Sequence, residues 1–394
     1  MVLPGAVRQP GSAAVSAERY DVAVVGLGAM GSMALWRLAA RGARVIGFDR
    51  FDPPHDLGSS HGESRMIRSA YAEGEFYVPL LGEAFALWRE LEHEAGTALL
   101  TLTGGLMIGP PEGTLVAGAL ASARAHRLEH RVLDAQAVRR DHPQHRVADT
   151  DVALWEAAAG FLRPEAAIAA ALGRARRAGA AVHPGARVTA VDADAGGVRV
   201  CTGERRVEAG HAIVAAGAWI GALLPRIDPH LMVERQVLAW FPVSDPARFD
   251  PGSCCVWIHE LGDGRLRYGF PSLDGTLVKV AVHHEGAATT ADAIDRTVHD
   301  ADLDPLRSFV AEHLAGVDTR SVRATVCMYS NTPDERFLVG ALADSPRVIA
   351  LGGCSGHSFK FASILGDVAA DLALEGTTAR TVEAFGLDRD ALGG

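Results

Sequence analysis

Thirty residues near the start, Asp21 to Arg50 (DVAVVGLGAMGSMALWRLAARGARVIGFDR), leave this chain few folds to choose from. Asp21-Val25 is a short apolar run that reads as a buried strand. Gly26-Leu27-Gly28-Ala29-Met30-Gly31 follows at once and opens a helical repeat at Met30, Ala34 and Leu38. Val45-Ile46-Gly47-Phe48 is a second strand and runs into Asp49, eighteen residues past Gly31. This is a βαβ unit around a G-x-G-x-x-G turn. Gly26 lets the chain turn tightly, Gly28 lets a pyrophosphate approach the backbone, and Gly31 lets the helix pack on the strand. The helix N-terminus favours the phosphate charge. Asp49 is placed to accept from a ribose hydroxyl. The pattern specifies a dinucleotide site and does not choose between NAD and FAD.

The remaining bulk properties narrow the setting. A chain of 394 residues is long enough for about two domains. The net charge of −10 and the lack of a basic block argue against nucleic acid as the main partner. No apolar run approaches the roughly 20 residues that cross a membrane. Residues 1–19 lack a continuous apolar segment, so a disordered leader is expected rather than a signal peptide. The five cysteines (Cys201, Cys254, Cys255, Cys327, Cys354) are odd in number and contain no C-x-x-C, which indicates neither a disulfide framework nor a metal site. A cytoplasmic protein is expected.

Lysine occurs only at Lys279 and Lys360, and the other 36 basic residues are arginine. Either the two are remnants on the surface, or they sit where a compact ammonium is required and a planar guanidinium does not fit.

Further along, Pro53-Pro54-His55 leads into a polar glycine-rich loop, Gly58-Ser59-Ser60-His61-Gly62-Glu63-Ser64-Arg65-Met66-Ile67-Arg68. The loop leaves the strand end where open α/β sheets bind ligands. Arg65 and Arg68 share a face if this is a helical turn; otherwise they belong to a solvated loop. Helices are expected at Pro79-Glu94, Leu115-His126, Asp134-Arg140 and Pro164-Ala178, with short strands at Ala181-His183, Val188-Val191 and Val198-Thr202. His211 to Trp219 reads as a strand entering a glycine turn, so the dinucleotide domain resumes after an excursion of about fifty residues. From Glu234 strands dominate. In Leu277-Val278-Lys279-Val280-Ala281-Val282-His283 the valines form one face and Lys279 and His283 the other, either the wall of a cleft or a solvent-facing pair. Tyr268 extends a neighbouring strand. Two helices are expected near Ala291-Asp300 and Leu306-Leu314. A strand at Val322-Met328 carries Cys327. Finally Val348-Leu351, a glycine turn and a helix from Ala362 to Leu374 form a second strand–turn–helix, with Lys360 at its mouth.

These motifs together resemble the sarcosine oxidase and N-methyltryptophan oxidase family of covalent FAD amine oxidases, from about Tyr20 to about Leu374. The resemblance rests on G-x-G-x-x-G with Asp49, PPH…GSSHGESRMIR, YGFPS at 268–272, K-x-x-x-H at 279–283, CMYSNTPDE at 327–335 and SGHSFKF at 355–361, in the family's order. It implies an α/β fold: a discontinuous Rossmann-like FAD-binding domain (20–101, 156–232 and 329–394) and a second, mixed β-sheet substrate domain (102–155 and 233–328). It implies FAD attached covalently at Cys327, with cofactor contacts from Gly26, Gly28, Ala29, Met30, Gly31, Asp49, Arg50, Ser59, Ser60, His61, Ser64, Arg65 and Met66. Further contacts are implied at Val188, Ala216, Gly217, Trp219, Met328, Gly356, His357, Phe359 and Lys360. Arg65 would lie against the flavin. Arg68 and Lys360 would clamp a substrate carboxylate. Tyr268 and Tyr329 would line the substrate cavity, His283 would lie beside the amine, and Lys279 would serve O₂ reduction. The implied reaction passes a hydride equivalent from the N–CH₃ carbon of a neutral secondary amine to flavin N5. The imine hydrolyses to formaldehyde and an amino acid, and O₂ leaves as H₂O₂. A monomer acting on a small amine is expected.

Two positions depart from the family's G-F-S-G-H-G-F-K-F: Cys354 replaces Phe and Ser358 replaces Gly. Both bear on substrate identity, and GFLRPEAAI and FKFASILGDVAADLAL lean toward the N-methyltryptophan branch. Oxidation of a cyclic secondary amino acid of the pipecolate type is the alternative within this class. A nicotinamide-dependent dehydrogenase would leave Cys327 without a purpose, and a non-catalytic flavin-binding module would have no need of Lys279, Arg68 and Lys360 together.

Overall fold

A computed structural model of the chain describes residues 18–320 and 323–392. The first strand is Arg19–Val25, so Arg19 already belongs to the fold, and the expected leader up to residue 17 lies outside the described residues. Arg19–Val25 pairs in parallel with Val45–Phe48 on one side and with Arg206–Val214 on the other. Ala181–His183 extends this sheet beyond Val45–Phe48, and Ser345–Gly352 joins Arg206–Val214 in parallel. Val22 to Val25 and Val45 to Phe48 are buried throughout, as expected of parallel strands covered on both faces. Helices Ala29–Ala40, Pro164–Arg177 and Ala362–Glu375 cover one face, packing Met33, Leu35, Ile168, Ile364 and Val368 against Val22, Val24, Ile213 and Ile349. The antiparallel ribbon Val188–Asp194 and Gly197–Thr202 builds the core on the opposite face.

The second sheet is mixed. Its strands run in the order Ala288–Thr289, Met232–Pro242, Leu277–His283, Leu266–Gly269, Val256–Glu260, Gly105–Gly109, Val152–Glu156 and Arg131–Asp134. Arg323–Asn331 pairs antiparallel with residues 232–240 of Met232–Pro242 and runs unbroken across residues 328 and 329. Alternation divides this sheet cleanly. Val237, Ala239, Phe241, Val278, Val280 and Val326 point into a core closed by Leu306, Phe309 and Val310 of helix Asp300–His313. Gln236, Leu238, Trp240, Lys279, Ala281, His283 and Cys327 fall on the other face. Among the described residues, no helix is long and apolar enough to cross a membrane.

One expected element is absent, and one open alternative is resolved. Residues 290–299 form no helix; the helix begins at Asp300 with a capping box between His299 and Asp302. The Asp295 side chain instead accepts from Thr297 N at 2.8 Å, a local bond that competes with helix formation. Arg65 and Arg68 do not share a helical turn either. Arg65–Ile67 is a strand paired with Gly160–Leu162 in a small three-stranded sheet, which sends residues three apart to opposite sides.

The glycine turn obeys its steric logic. Gly26 adopts φ +90°, and a side-chain carbon at Gly31 would lie 1.7 Å from the Gly26 oxygen. Gly31→Ala is therefore expected to push helix Ala29–Ala40 off the turn, at a cost of about 1–3 kcal/mol. The purified variant should carry much less flavin than the parent, read as the visible-to-ultraviolet absorbance ratio; an unchanged ratio would contradict this.

Candidate active site

A large cavity opens at the glycine turn. Of the expected cofactor residues, Gly26, Gly28, Ala29, Met30, Asp49, Arg50, Ser59, Ser60, Arg65, Val188, Ala216, Gly217, Trp219, Met328, Gly356 and Phe359 line it, as does Tyr329. Gly31 supports the turn from behind. No side chain caps the helix start at Gly28, and Ala29 N reaches Ser60 Oγ at 3.3 Å, so amide donors face the cavity. Asp49 is buried and its two oxygens accept from Leu27 N and Phe51 N at 2.7 and 2.8 Å. A carboxylate has further lone pairs for a hydroxyl.

At the far end of the cavity the second sheet meets the loop that follows Val45–Phe48. Lys279 is buried, and its Nζ donates to the carbonyls of Gly62 at 2.8 Å and Ser64 at 2.5 Å. Burial and then the charge of Arg65 push its pKa well below the ordinary lysine value. Arg65 donates to Ser64 O and Ser59 O, both at 2.9 Å, and lies 3.9 Å from Cys327 Sγ. Cys327 is buried. Burial alone would raise its thiol, but His61 and Arg65 beside it bring the pKa down to about 7. His61 Nε2 is buried without a partner among the described residues. Ser64 is also buried, and Met66 packs with Phe161 and Phe270 rather than on the cavity.

Tyr329, two residues beyond Cys327 and so on the same face, meets His283 Nδ1 at 3.2 Å. The Tyr268 ring stands edge-on to His283 at 6.2 Å. Burial pushes the His283 pKa well below the ordinary value and those of Tyr268 and Tyr329 above theirs, so all three are neutral near pH 7.

The remaining expected cations stand in a buried polar cluster. Arg68 donates to Ala70 O at 2.7 Å and to both oxygens of Glu73 at 2.7 and 2.6 Å. These contacts use three of the guanidinium's five N–H groups. Burial opposes the Glu73 charge, yet Arg68, His357 and Lys360 hold its pKa down to about 2. Lys360 Nζ donates to His357 O at 2.7 Å and lies 3.4 Å from the Tyr71 hydroxyl. Burial, then Arg68, lower its pKa to about 7. His357 lies 2.5 Å from Tyr71 through Nδ1 and 2.9 Å from Glu335 O through Nε2.

Sequence reasoning missed Tyr71 and Glu73, because the irregular turn that folds Glu73 back onto Arg68 has no periodic signature. It also missed the carboxylates that hold the arginine loop. Glu165 accepts from Gly62 N and Glu63 N, and Glu156 accepts from Ser69 N and Ala70 N. They lie 86 to 103 residues downstream of the amides they accept from, so only the fold brings them there. Cys354 and Ser358, the two departures noted above, both line the cavity, and burial pushes the Cys354 thiol up.

The cavity can hold an extended anionic ligand along the glycine turn, with Arg65, Met328 and Tyr329 on its wall; Cys327, Lys279, His283, Tyr268, Arg68, His357 and Lys360 do not line it and stand behind Arg65, Tyr329 and the 356–359 turn. In flavin-free protein, the ultraviolet thiolate absorbance lost in Cys327→Ser is expected to titrate near pH 7. Removing the adjacent charge in Arg65→Met should move that midpoint upward. A parent midpoint at about 8.5, the free-cysteine value, would refute the electropositive setting.

Known proteins bear the same stamp. The chain is 42% identical over 370 residues to a monomeric sarcosine oxidase of Streptomyces avermitilis, covering 93% of this chain and 96% of that one. It is 35% identical over 373 residues to an N-methyl-L-tryptophan oxidase of Salmonella arizonae, covering 94% and 99%. The solved open form of NikD, an unusual amino acid oxidase essential for nikkomycin biosynthesis, superposes with a TM-score of 0.82 at 25% identity, covering 94% and 97%. The sequence profile of FAD dependent oxidoreductases, DAO, matches residues 21–372. The chain belongs to this DAO family and is an FAD-dependent oxidoreductase acting on CH–NH donors.

Proposed function

We propose that this enzyme is an oxidase of N-methyl amino acids, with FAD held covalently at Cys327 and O₂ as acceptor. The observation that carries the reading is the shared sheet face on which Cys327, Tyr329, Lys279 and His283 stand, turned toward Arg65 of the opposing loop. Sarcosine and N-methyltryptophan oxidases covering almost the whole chain support the substrate class. The residues fit the cofactor: uncapped amides at the glycine turn for the pyrophosphate, Asp49 for the ribose, and an orphan His61 nitrogen where the flavin end belongs. Bound FAD supplies the two-electron acceptor for oxidation of an amine C–H bond.

The protein's own groups then divide the work. The first sheet and the loop after Val45–Phe48 hold the cofactor, and the second sheet, whose Arg323–Asn331 strand carries Cys327, builds the substrate side. The Cys327 thiol, poised near neutrality, is the nucleophile for attachment. Arg65 and Lys279 place positive charge where negative charge develops. Neutral His283, with Tyr268 and Tyr329, surrounds the amine without donating a proton that would block its lone pair. Lys360 and Arg68 receive the substrate carboxylate, which competes with Glu73 for the guanidinium. Cys354 and Ser358 shape the wall that selects the side chain.

Acid precipitation tests the linkage: yellow colour should stay in the pellet, and colour released to the supernatant would remove Cys327 from this role. A peroxide-coupled screen of sarcosine, N-methyltryptophan and pipecolate tests the substrate class, and peroxide from none of them would sink it. Lys279→Met should slow turnover with O₂ by about 10²-fold or more while leaving anaerobic turnover with an artificial acceptor near the parent rate; equal loss with both acceptors would move Lys279 out of O₂ chemistry. The pH dependence follows from Lys360. It must be protonated to hold a carboxylate, so the Kd of propionate, a carboxylate without an amine, should be flat below pH 7 and rise as pH passes the Lys360 pKa of about 7 in the free enzyme. A propionate Kd that falls steadily from pH 6 to 9 would contradict the clamp.

A further inference from the structure

After helix Ala362–Glu375 the chain continues through residues 376–392, a tail that contributes none of the cavity-lining residues. Its anchoring is nevertheless elaborate. Arg389 grips Asp334 with a fork, Nε to Oδ2 at 2.8 Å and Nη2 to Oδ1 at 2.9 Å. The same guanidinium donates to the Arg336 and Gly386 carbonyls at 3.2 and 2.9 Å. Phe385 is buried and stacks on Phe337 at 5.2 Å between ring centres, and Phe337 lies 4.9 Å from the His357 ring. A polar route and an aromatic route therefore run from the tail to the same histidine.

The polar route passes through a constrained backbone. Glu335, next to Asp334, has φ +57°, a left-handed conformation that a glutamate holds only when its surroundings impose it. In that conformation its carbonyl meets His357 Nε2 at 2.9 Å. A carbonyl can only accept, so Nε2 carries the imidazole proton. Nδ1 of the neutral ring is then an acceptor and takes the Tyr71 hydroxyl proton. The Tyr71 oxygen in turn offers its lone pair toward Lys360 Nζ, 3.4 Å away. With the opposite tautomer the Tyr71 proton would turn toward the ammonium and oppose it. The charged and titratable groups around Lys360 are Arg68, Glu73, Tyr71, His357 and, across the sheet, the neutral His283. Arg68 and Glu73 already pair with each other, which leaves the Tyr71–His357 orientation as the adjustable influence.

We propose that the C-terminal tail, through Arg389 and Asp334, is a positioning element for the carboxylate end of the site, fixing the His357 tautomer that keeps Lys360 a donor. This rests on the reading of Lys360 and Arg68 as the carboxylate clamp. Arg389 itself touches neither substrate nor cofactor.

The test uses the flavin-loaded enzyme and propionate as a plain carboxylate probe, titrated through the flavin absorbance from pH 6 to 9. Arg389→Met keeps the aliphatic packing and removes the fork; Asp334→Asn removes the charge and one of the fork's two acceptors from the other side. Each is expected to weaken propionate binding about 10-fold at pH 7.5, the effect of a one-unit change in Lys360. Each should move the pH above which binding fades downward, with flavin content and kcat at saturating substrate unchanged. The double variant should bind no worse than either single one, because all three lose one link. Unchanged affinity and pH profile in both variants overturns the proposal, as does additive loss in the double variant. Loss of flavin or of folding in both also overturns it, since the tail would then serve stability alone. If the parent enzyme itself shows no response to propionate, the clamp reading falls, and the tail proposal falls with it.

Discussion

Lys279 joins the two halves of this enzyme at one atom. Its stem rises from the second sheet, and its ammonium closes on the Gly62 and Ser64 carbonyls of a loop that belongs to the first. A buried ammonium costs several kcal/mol unless its donors are met, so the loop carbonyls must point at the sheet for the structure to persist. That requirement turns the loop backbone so that Arg65 can bond Ser59 O and Ser64 O and stand over Cys327. The Phe270 ring, 4.1 Å from Nζ, closes another side of the ammonium. A guanidinium could not enter the same space: it is wider, planar and needs more acceptors.

The price of assembling so much positive charge is met by carboxylates placed at a distance from the chemistry. Glu165 and Glu156 each accept two backbone N–H groups on either side of the arginine loop. They fix the loop without neutralising Arg65. Glu73 does neutralise Arg68, but in a pairing a substrate carboxylate can contest. Two buried groupings result, a cationic one of Arg65 and Lys279 around the Cys327 thiol and a balanced one of Arg68, Glu73 and Lys360.

Much of this was legible in the chain, for stated reasons. The βαβ unit and its glycines were readable because every local signal there agrees: apolar strand, tight turn, helical repeat, terminal acid. The 277–283 strand was readable because period-two alternation is strict, and it separated Val278 and Val280 from Lys279 and His283 correctly. The scarcity of lysine was informative too, since both lysines are buried. The setting of Arg65 and Arg68 stayed open between a helical turn and a solvated loop, and it is neither, because the pairing with Gly160–Leu162 that makes a strand lies almost a hundred residues away. Residues 291–299 have helical composition, but Asp292 is spent on Arg50 and Trp219, and Arg296 on the Leu57 carbonyl. Tertiary bonds of this kind leave no local trace.

The two-faced 277–283 strand also says how such an enzyme can change. Its alternate side chains answer to different masters: Val278 and Val280 to a sealed core behind the sheet, Lys279 and His283 to the reactants before it. Because the pleat keeps these sets apart, drift in one need not disturb the other. A lineage could retune which amine it accepts from one side of a single strand while the other side preserves the fold, and tolerance to replacement along the strand would then beat with a period of two.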